Sequence, residues 1–508
     1  MGKLAVAAIV SMWVVPISIL VNRIVPEPYM DEIFHIPQAQ RYCEGNFRSW
    51  DPMITTPPGL YYLSLAHVAS LFPGMSYMKP ISSFSEVCSI PILRSVNVVL
   101  AVTCSIIVYD IVNHLRPTLD DKRATLCAVV LALYPLHWFF TFLYYTDVAS
   151  LTAVLAMYLA SLKKKHLFSA LLGAFAVFIR QTNVVWVLFV ACSGVINITL
   201  GKAKEKANES NKLVRKSEGL STKDGATALS NVRKRKSSAA ANNFNSSTTS
   251  IMSSSTISLS GFLDEVQAIL LRTWRMKFQL VVSFSPFFVI LAAFVAFAWW
   301  NGGIVLGAKE AHTVSPHFAQ VLYFSLVSVL AMTPLHFGIR HISSVFQSMW
   351  KDRPASIFQV LISLTAGILS VHFFSIAHPY LLADNRHYPF YLWRKVINAH
   401  WCMKYLLVPF YVYSWLSIVR ILGKNERKIW VLAYFLASAA ALIPAPLIEF
   451  RYYTIPFYLL ALHSVGNETV SWLLMGLGYI AINTFTMTMF LYRPFHWDHE
   501  PGTQRFIW

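Results

Sequence analysis

The chain has 508 residues, of which 56% are hydrophobic and only 13% charged, about half the charged share of an ordinary soluble domain. That balance excludes a water-soluble globular protein and predicts an all-α polytopic membrane protein, because an open sheet edge finds no partner in hydrocarbon. The formal charge of +18 does not argue for nucleic acid: much of the excess lies between Lys202 and Lys236, where anionic headgroups are the expected neighbours, and the rest is scattered in short loops.

The first apolar run, about 4–22, reads as an uncleaved first span, with Lys3 placing the amino side in the cytosol. Residues 23–90 then form a first lumenal loop, with a short apolar stretch at 59–72 lying as an interfacial helix and a break expected at the LFPG of 71–74. Spans follow across 91–200, alternating with basic loops that carry Arg116, Lys122 and Arg123, then Lys163, Lys164 and Lys165. Asp147 and the run Arg180-Gln181-Thr182-Asn183 interrupt these spans, which is tolerated where a helix lines a polar cavity. Residues 201–262 lack a periodic apolar face and are expected to be a disordered, basic and serine-rich cytosolic loop, its sequons at Asn208 and Asn245 out of reach of glycosylation. The remaining spans lie in 263–508, with 301–319 and 378–400 as lumenal loops. The hydrophobic runs predict about 12–14 membrane helices in total.

The six cysteines show no metal-ligand spacing, and most lie in apolar runs, where a small buried thiol is the default. Cys43 and Cys88 bracket the polar loop and form a pair if it faces an oxidising compartment.

Asp31 and Glu32 open the segment YMDEIFHIPQAQRYCEGNFRSWDPMITTPPGLYY at the mouth of the membrane domain. Carboxylates there are costly unless wet, paired or used, and two neighbours can raise one pKa toward a useful base. On a helix only one of the two faces a substrate. Asp51 is placed to cap a turn or to hold a sugar. A second cluster, HPYLLADNRHYPFYLWRK, offers His378, Asp384, Arg386 and His387 among aromatic rings, a grouping suited to gripping phosphate. Lys309, Glu310, His312 and His317 lie in one lumenal loop, and EFRYYTIPFY sets Glu449, Arg451, Tyr452 and Tyr453 at the end of a span. No zinc signature, Walker loop or nucleophile elbow is present, so an activated substrate is expected to arrive through the membrane.

These blocks, with the terminal QRFIW, resemble the dolichyl-phosphate-glucose-dependent alpha-1,2-glucosyltransferases of the endoplasmic reticulum, in the GT-C superfamily, from the first span to the last residue. The resemblance implies a multi-pass GT-C glycosyltransferase fold with its active site facing the lumen. It implies inverting transfer of glucose from dolichyl-phosphate glucose to Glc2Man9GlcNAc2-diphosphodolichol, without metal or cofactor. The base then falls on Asp31 or Glu32, with Asp31 preferred. Arg386, His387, Arg451 and His378 would bind the donor phosphate. Asp51, Asp384, His312, Tyr391, Trp393 and Tyr452 would serve the acceptor or sugar. The nearest rival is a lumenal dolichyl-phosphate-mannose-dependent transferase, with a transporter or scaffold more distant.

Overall fold

A computed structural model of the chain describes residues 1–78, 83–200, 259–351, 353–498 and 500–508. Seven of the described helices are long and apolar enough to cross a bilayer: Gly2–Ile24, Ile90–Leu115, Gln181–Leu200, Lys277–Asn301, Arg353–Phe373, Met403–Asn425 and Thr469–Tyr492. Each holds the roughly 20 residues that about 30 Å of hydrocarbon requires. Thr146–Leu162, His166–Ile179, Ala319–Ala331 and Lys428–Leu442 are apolar but shorter. A 14-residue helix rises only about 21 Å, so against the 12–14 expected, seven of the described helices qualify as spans alone and four are shorter, of which Thr146–Leu162 is almost wholly shielded by its neighbours. Tight crossings use small residues: a Cβ on Gly59 would meet the Phe178 carbonyl at 2.5 Å, and one on Gly194 the Phe284 ring at 2.7 Å.

The bundle has two chemically distinct ends. At one, Lys3 and Lys163 both reach Asp110, at 2.8 and 3.2 Å, while Arg116 and Asn425 donate to the His463 carbonyl. Successive helices carry the chain away from this end and back. At the other end the segments around Asp31, Tyr145, Arg180, His387, Arg451 and Arg505 converge. The tail therefore returns to the same end as Asp31, with a two-stranded hairpin of Phe495–Trp497 and Glu500–Gln504 on the way.

Between the first two long spans lie Glu32–Cys43, Gly59–Met78 and the short Phe84–Val87 helix. Cys43 and Cys88 form a disulfide with Cα atoms 6.5 Å apart, whereas Cys104 and Cys127 are buried thiols. The break expected at 71–74 does not occur, since the helix runs through Pro73 and Gly74 to Met78. Pro73 removes only the bond to the Ala69 carbonyl, and Ala69 is exposed, where water replaces the lost donor. The expected disordered loop is also too long at its end: Leu259–Arg275 is an amphipathic helix. Its remainder, including Asn208, Asn245 and the basic run at 233–236, lies outside the described residues.

Candidate active site

Val25-Pro26-Glu27-Pro28 ends the first span, and Met30 takes a left-handed backbone, φ 57°, a costly conformation for a side-chain-bearing residue. The turn sends the two adjacent acids in opposite directions. Glu32 points inward and is fully buried, as is Arg94. Arg94 donates from Nε to Glu32 Oε1 at 2.8 Å and from Nη2 to Oε2 at 2.6 Å. The backbone N–H groups of Tyr144 and Tyr29 donate to the same carboxylate at 2.6 and 3.1 Å. Arg94 spends its remaining donors on Asn22 Oδ1 and the carbonyls of Val25 and Glu27. Glu32 is thus a satisfied buried ion pair that ties the first span to the loop before Thr146, with no oxygen facing solvent.

Asp31 points outward and its side chain is 40% exposed. Its Oδ2 accepts from Arg451 Nη1 at 2.8 Å, and its N–H donates to the Tyr145 hydroxyl at 3.2 Å. Oδ1 takes no hydrogen bond among the described residues. Arg451 grips Glu449 through Nε and Nη2 and lies 5.7 Å from the Tyr145 ring centre and 6.0 Å from that of Phe140. The walls around Asp31 push its carboxyl up, but the charge and hydrogen bond of Arg451, helped by His35 and His387, hold it below the usual value. Burial likewise opposes the Arg451 charge and is overcome by Glu449 and Asp31, so the guanidinium is held firmly protonated. The site therefore presents an ionised carboxylate with one free oxygen.

His35 lies one helical turn on from Asp31, and its Nδ1 shares a 2.6 Å hydrogen bond with the Tyr61 hydroxyl. Its burial depresses its basicity, with Asp31 raising it and Arg451 and Arg180 lowering it further; the imidazole is neutral at pH 7. Arg180 follows the His166–Ile179 helix and donates from Nη1 to Asp147 Oδ1 at 2.7 Å, with Tyr452 6.0 Å from ring centre to guanidinium. Of the polar interruptions read from sequence as lining a cavity, Asp147 and Arg180 form an ion pair near Tyr452, while Gln181 and Asn183 bond the Thr55 carbonyl and the Ser150 hydroxyl.

The second cluster is tied to the same end. Arg386 donates to both Asp384 oxygens, at 2.9 and 2.8 Å, and to Gln504 Oε1 at 2.8 Å, while its guanidinium stacks 4.6 Å from Trp497. His387 Nδ1 meets the Trp508 carbonyl at 3.1 Å, and the backbones of Arg386 and Tyr388 pair with Ile507. Tyr29, two residues before Asp31, exchanges hydrogen bonds with Arg505 at 2.6 and 2.8 Å. His387 brings this wall within electrostatic range of Asp31 and Glu449.

Other expected site residues are placed differently. Asp51 Oδ1 accepts the Met53 N–H at 2.9 Å and Asp51 N–H donates to Gln38, making a local turn. His378 caps Pro379–Ala383 through the Tyr380 N–H. Trp393 lines a recess of about 290 Å³ with Leu382, Phe390, Arg394 and Asn398, and Tyr391 packs on Phe390 and Phe506. None of these four contacts the Asp31–Arg451 group among the described residues. Tyr452 does belong to it, with Glu449, Arg451, Arg180 and Asp147 acting on its hydroxyl. The His312 side chain lies outside the described residues. His317 is buried, accepting the Ile376 N–H through Nε2.

These features define a multi-pass helical membrane protein with a carboxylate–guanidinium centre at one end of its bundle. The chain belongs to the DIE2/ALG10 family, whose model matches residues 25–462. It is 60% identical, over the full length of both chains, to an Arabidopsis thaliana protein named Dol-P-Glc:Glc(2)Man(9)GlcNAc(2)-PP-Dol alpha-1,2-glucosyltransferase. Proteins of the same name from Mus musculus and Homo sapiens are 35% and 34% identical over 96% of this chain and 94% of theirs. No solved structure gives a significant match.

Proposed function

We propose that the protein transfers glucose from dolichyl-phosphate glucose to the terminal glucose 2-hydroxyl of Glc2Man9GlcNAc2-diphosphodolichol, at the lumenal face of the endoplasmic reticulum membrane. The names of its relatives supply the substrates, and one observation carries the site: the Asp31 side chain is partly open, held by Arg451 at one oxygen and free at the other. Two features support a lumenal active site. The basic loops gather at the opposite end of the bundle, as the positive-inside rule expects of a cytosolic face, and Cys43–Cys88 is a bond typical of oxidising compartments.

The donor linkage is beta and the product alpha, so one inverting displacement suffices. Asp31 takes the proton of the acceptor 2-hydroxyl as that oxygen bonds to glucose C1. The C1–oxygen bond to phosphate breaks with its electron pair, and dolichyl phosphate leaves as an anion that needs no proton. A carboxylate held below its usual pKa is a weak base for an alcohol, but positive charge developing at C1 acidifies the hydroxyl late in the reaction. Arg451 holds Asp31 ionised and fixes its angle, with Glu449 sharing the guanidinium charge. Glu32 serves as a structural anchor. Tyr452 and His35 line the space a sugar would occupy. His387, with Asp384 and Arg386 behind it, closes that space on the tail side.

Reconstitution in liposomes with dolichyl-phosphate glucose or dolichyl-phosphate mannose, each with the glucosylated acceptor, tests this reading. Transfer of glucose and not mannose is expected. Transfer of mannose alone would establish the rival transferase, and transfer of neither would reject the enzyme assignment.

A further inference from the structure

An inverting displacement needs cationic help for the leaving phosphate on the face of C1 opposite the base. Arg451 is poorly placed for that duty, because each of its three nitrogens already donates to a carboxylate and one of those is Asp31 itself. Arg386 is committed to Asp384 and Gln504 and stacked on Trp497. The cations gathered by reading the sequence are largely neutralised by partners on the same wall.

Arg180 differs from both. Its side chain is as buried as theirs, 16% exposed against 17% for each, but among the described residues Asp147 is the one hydrogen-bond partner of its guanidinium. A guanidinium has five N–H donors, so most of this one remains available. Asp147, itself 7% exposed, fixes one edge of the fork, and Tyr452 lies 6.0 Å away. Arg180 acts on His35 together with Asp31, yet makes no contact with Asp31. Tyr452, beside Arg180, directly follows Arg451, which holds Asp31 at 2.8 Å, so Arg180 and Asp31 lie against the same short Arg451–Tyr452 segment. The pair also stands where the His166–Ile179 helix meets Gln181–Leu200, at the end of two apolar helices, a level at which a lipid phosphate rides.

Resting on the function proposed above, we propose that Arg180, oriented by Asp147, binds the isoprenoid phosphate of the donor and stabilises it as it leaves. The acceptor also carries an isoprenoid diphosphate, but at the far end of its glycan from the reacting hydroxyl. Arg180 is thus expected to discriminate between the two lipids.

The experiment measures donor and acceptor KM, kcat and inhibition by dolichyl phosphate for the wild type, Arg180→Gln, Arg180→Lys and Asp147→Asn in liposomes. Folding is followed by thermal unfolding and monodispersity. Arg180→Gln is expected to raise donor KM and the dolichyl phosphate inhibition constant by about tenfold or more, with acceptor KM within about twofold. Arg180→Lys, keeping the charge without the fork, is expected to fall between, and so is Asp147→Asn. Unchanged donor KM and inhibition in folded Arg180→Gln would overturn the proposal, as would a rise confined to acceptor KM. Should Arg180→Gln unfold, folded Arg180→Lys with wild-type donor KM and inhibition would overturn it equally. Wild-type protein that transfers no glucose would instead reject the function itself.

Discussion

Replacing the two adjacent acids one at a time separates chemistry from architecture. In Asp31→Asn the amide keeps the shape of the side chain, and its oxygen still accepts from Arg451 Nη1, now 2.8 Å away, so the fold is retained. Removing a general base lowers turnover by about 10²–10⁴-fold, or roughly 3–5 kcal/mol of activation free energy. In Glu32→Gln the amide nitrogen must face Arg94, Tyr144 N–H or Tyr29 N–H, all of them donors. Breaking a buried pair from one side costs about 3–5 kcal/mol, enough to unfold much of the population. Both variants would be purified, their folded fraction measured by thermal unfolding, and glucose transfer expressed per folded molecule. The expected result is folded, inactive Asp31→Asn and poorly folded Glu32→Gln whose surviving molecules turn over within a few-fold of wild type. Folded Asp31→Asn with normal turnover, or a stable Glu32→Gln without activity, would refute the division of roles.

Asp31 must be ionised to accept a proton, and its pKa is below the ordinary 3.8, so the wild-type rate should show no carboxylate limb between pH 5 and 8. Arg451→Met leaves burial opposed only by His35 and His387, and the acid limb of kcat/KM should climb by about one to three pH units, whatever the maximal rate; an unmoved limb would show that Arg451 does not set this carboxylate. Cys88→Ser opens a link spanning 45 residues, worth about 4 kcal/mol in the chain-entropy description, and thermal unfolding should shift down by several degrees. Gly307→Ala would drive a methyl to within 2.2 Å of the Pro52 carbonyl and 2.5 Å of that of Ile54, costing about 1–3 kcal/mol. Gly303→Ala, with nothing within 4 Å, should leave the unfolding temperature unchanged.

The sequence made the helical class legible because apolar runs of span length leave few other structures, and it brought Asp31, Arg451 and Tyr452 forward because dense polar and aromatic blocks stand out at span ends. It left Asp31 and Glu32 undivided, since the arginine that claims Glu32 lies 62 positions away within an otherwise apolar span. Arg386 was legible beside Asp384 in one local cluster, but not its further bond to Gln504, 118 positions distant. Arg180 was visible only as an interruption, its partner Asp147 being 33 positions off on a separate helix. Pairings of this kind depend on which helices become neighbours, which local pattern does not encode. Span number was blurred for a related reason: shielded helices need not be long.

Tyr29 and Arg505 hold each other across 476 positions, and Ile507 is hydrogen-bonded to the chain on both sides of His387. A nascent chain entering the membrane from its amino side consequently carries Asp31 long before the opposing wall exists. Until residues 505–508 are in place, Tyr29 and the backbone around His387 have none of these partners, so the wall facing Asp31 is assembled from both extremes of the 508 residues at once.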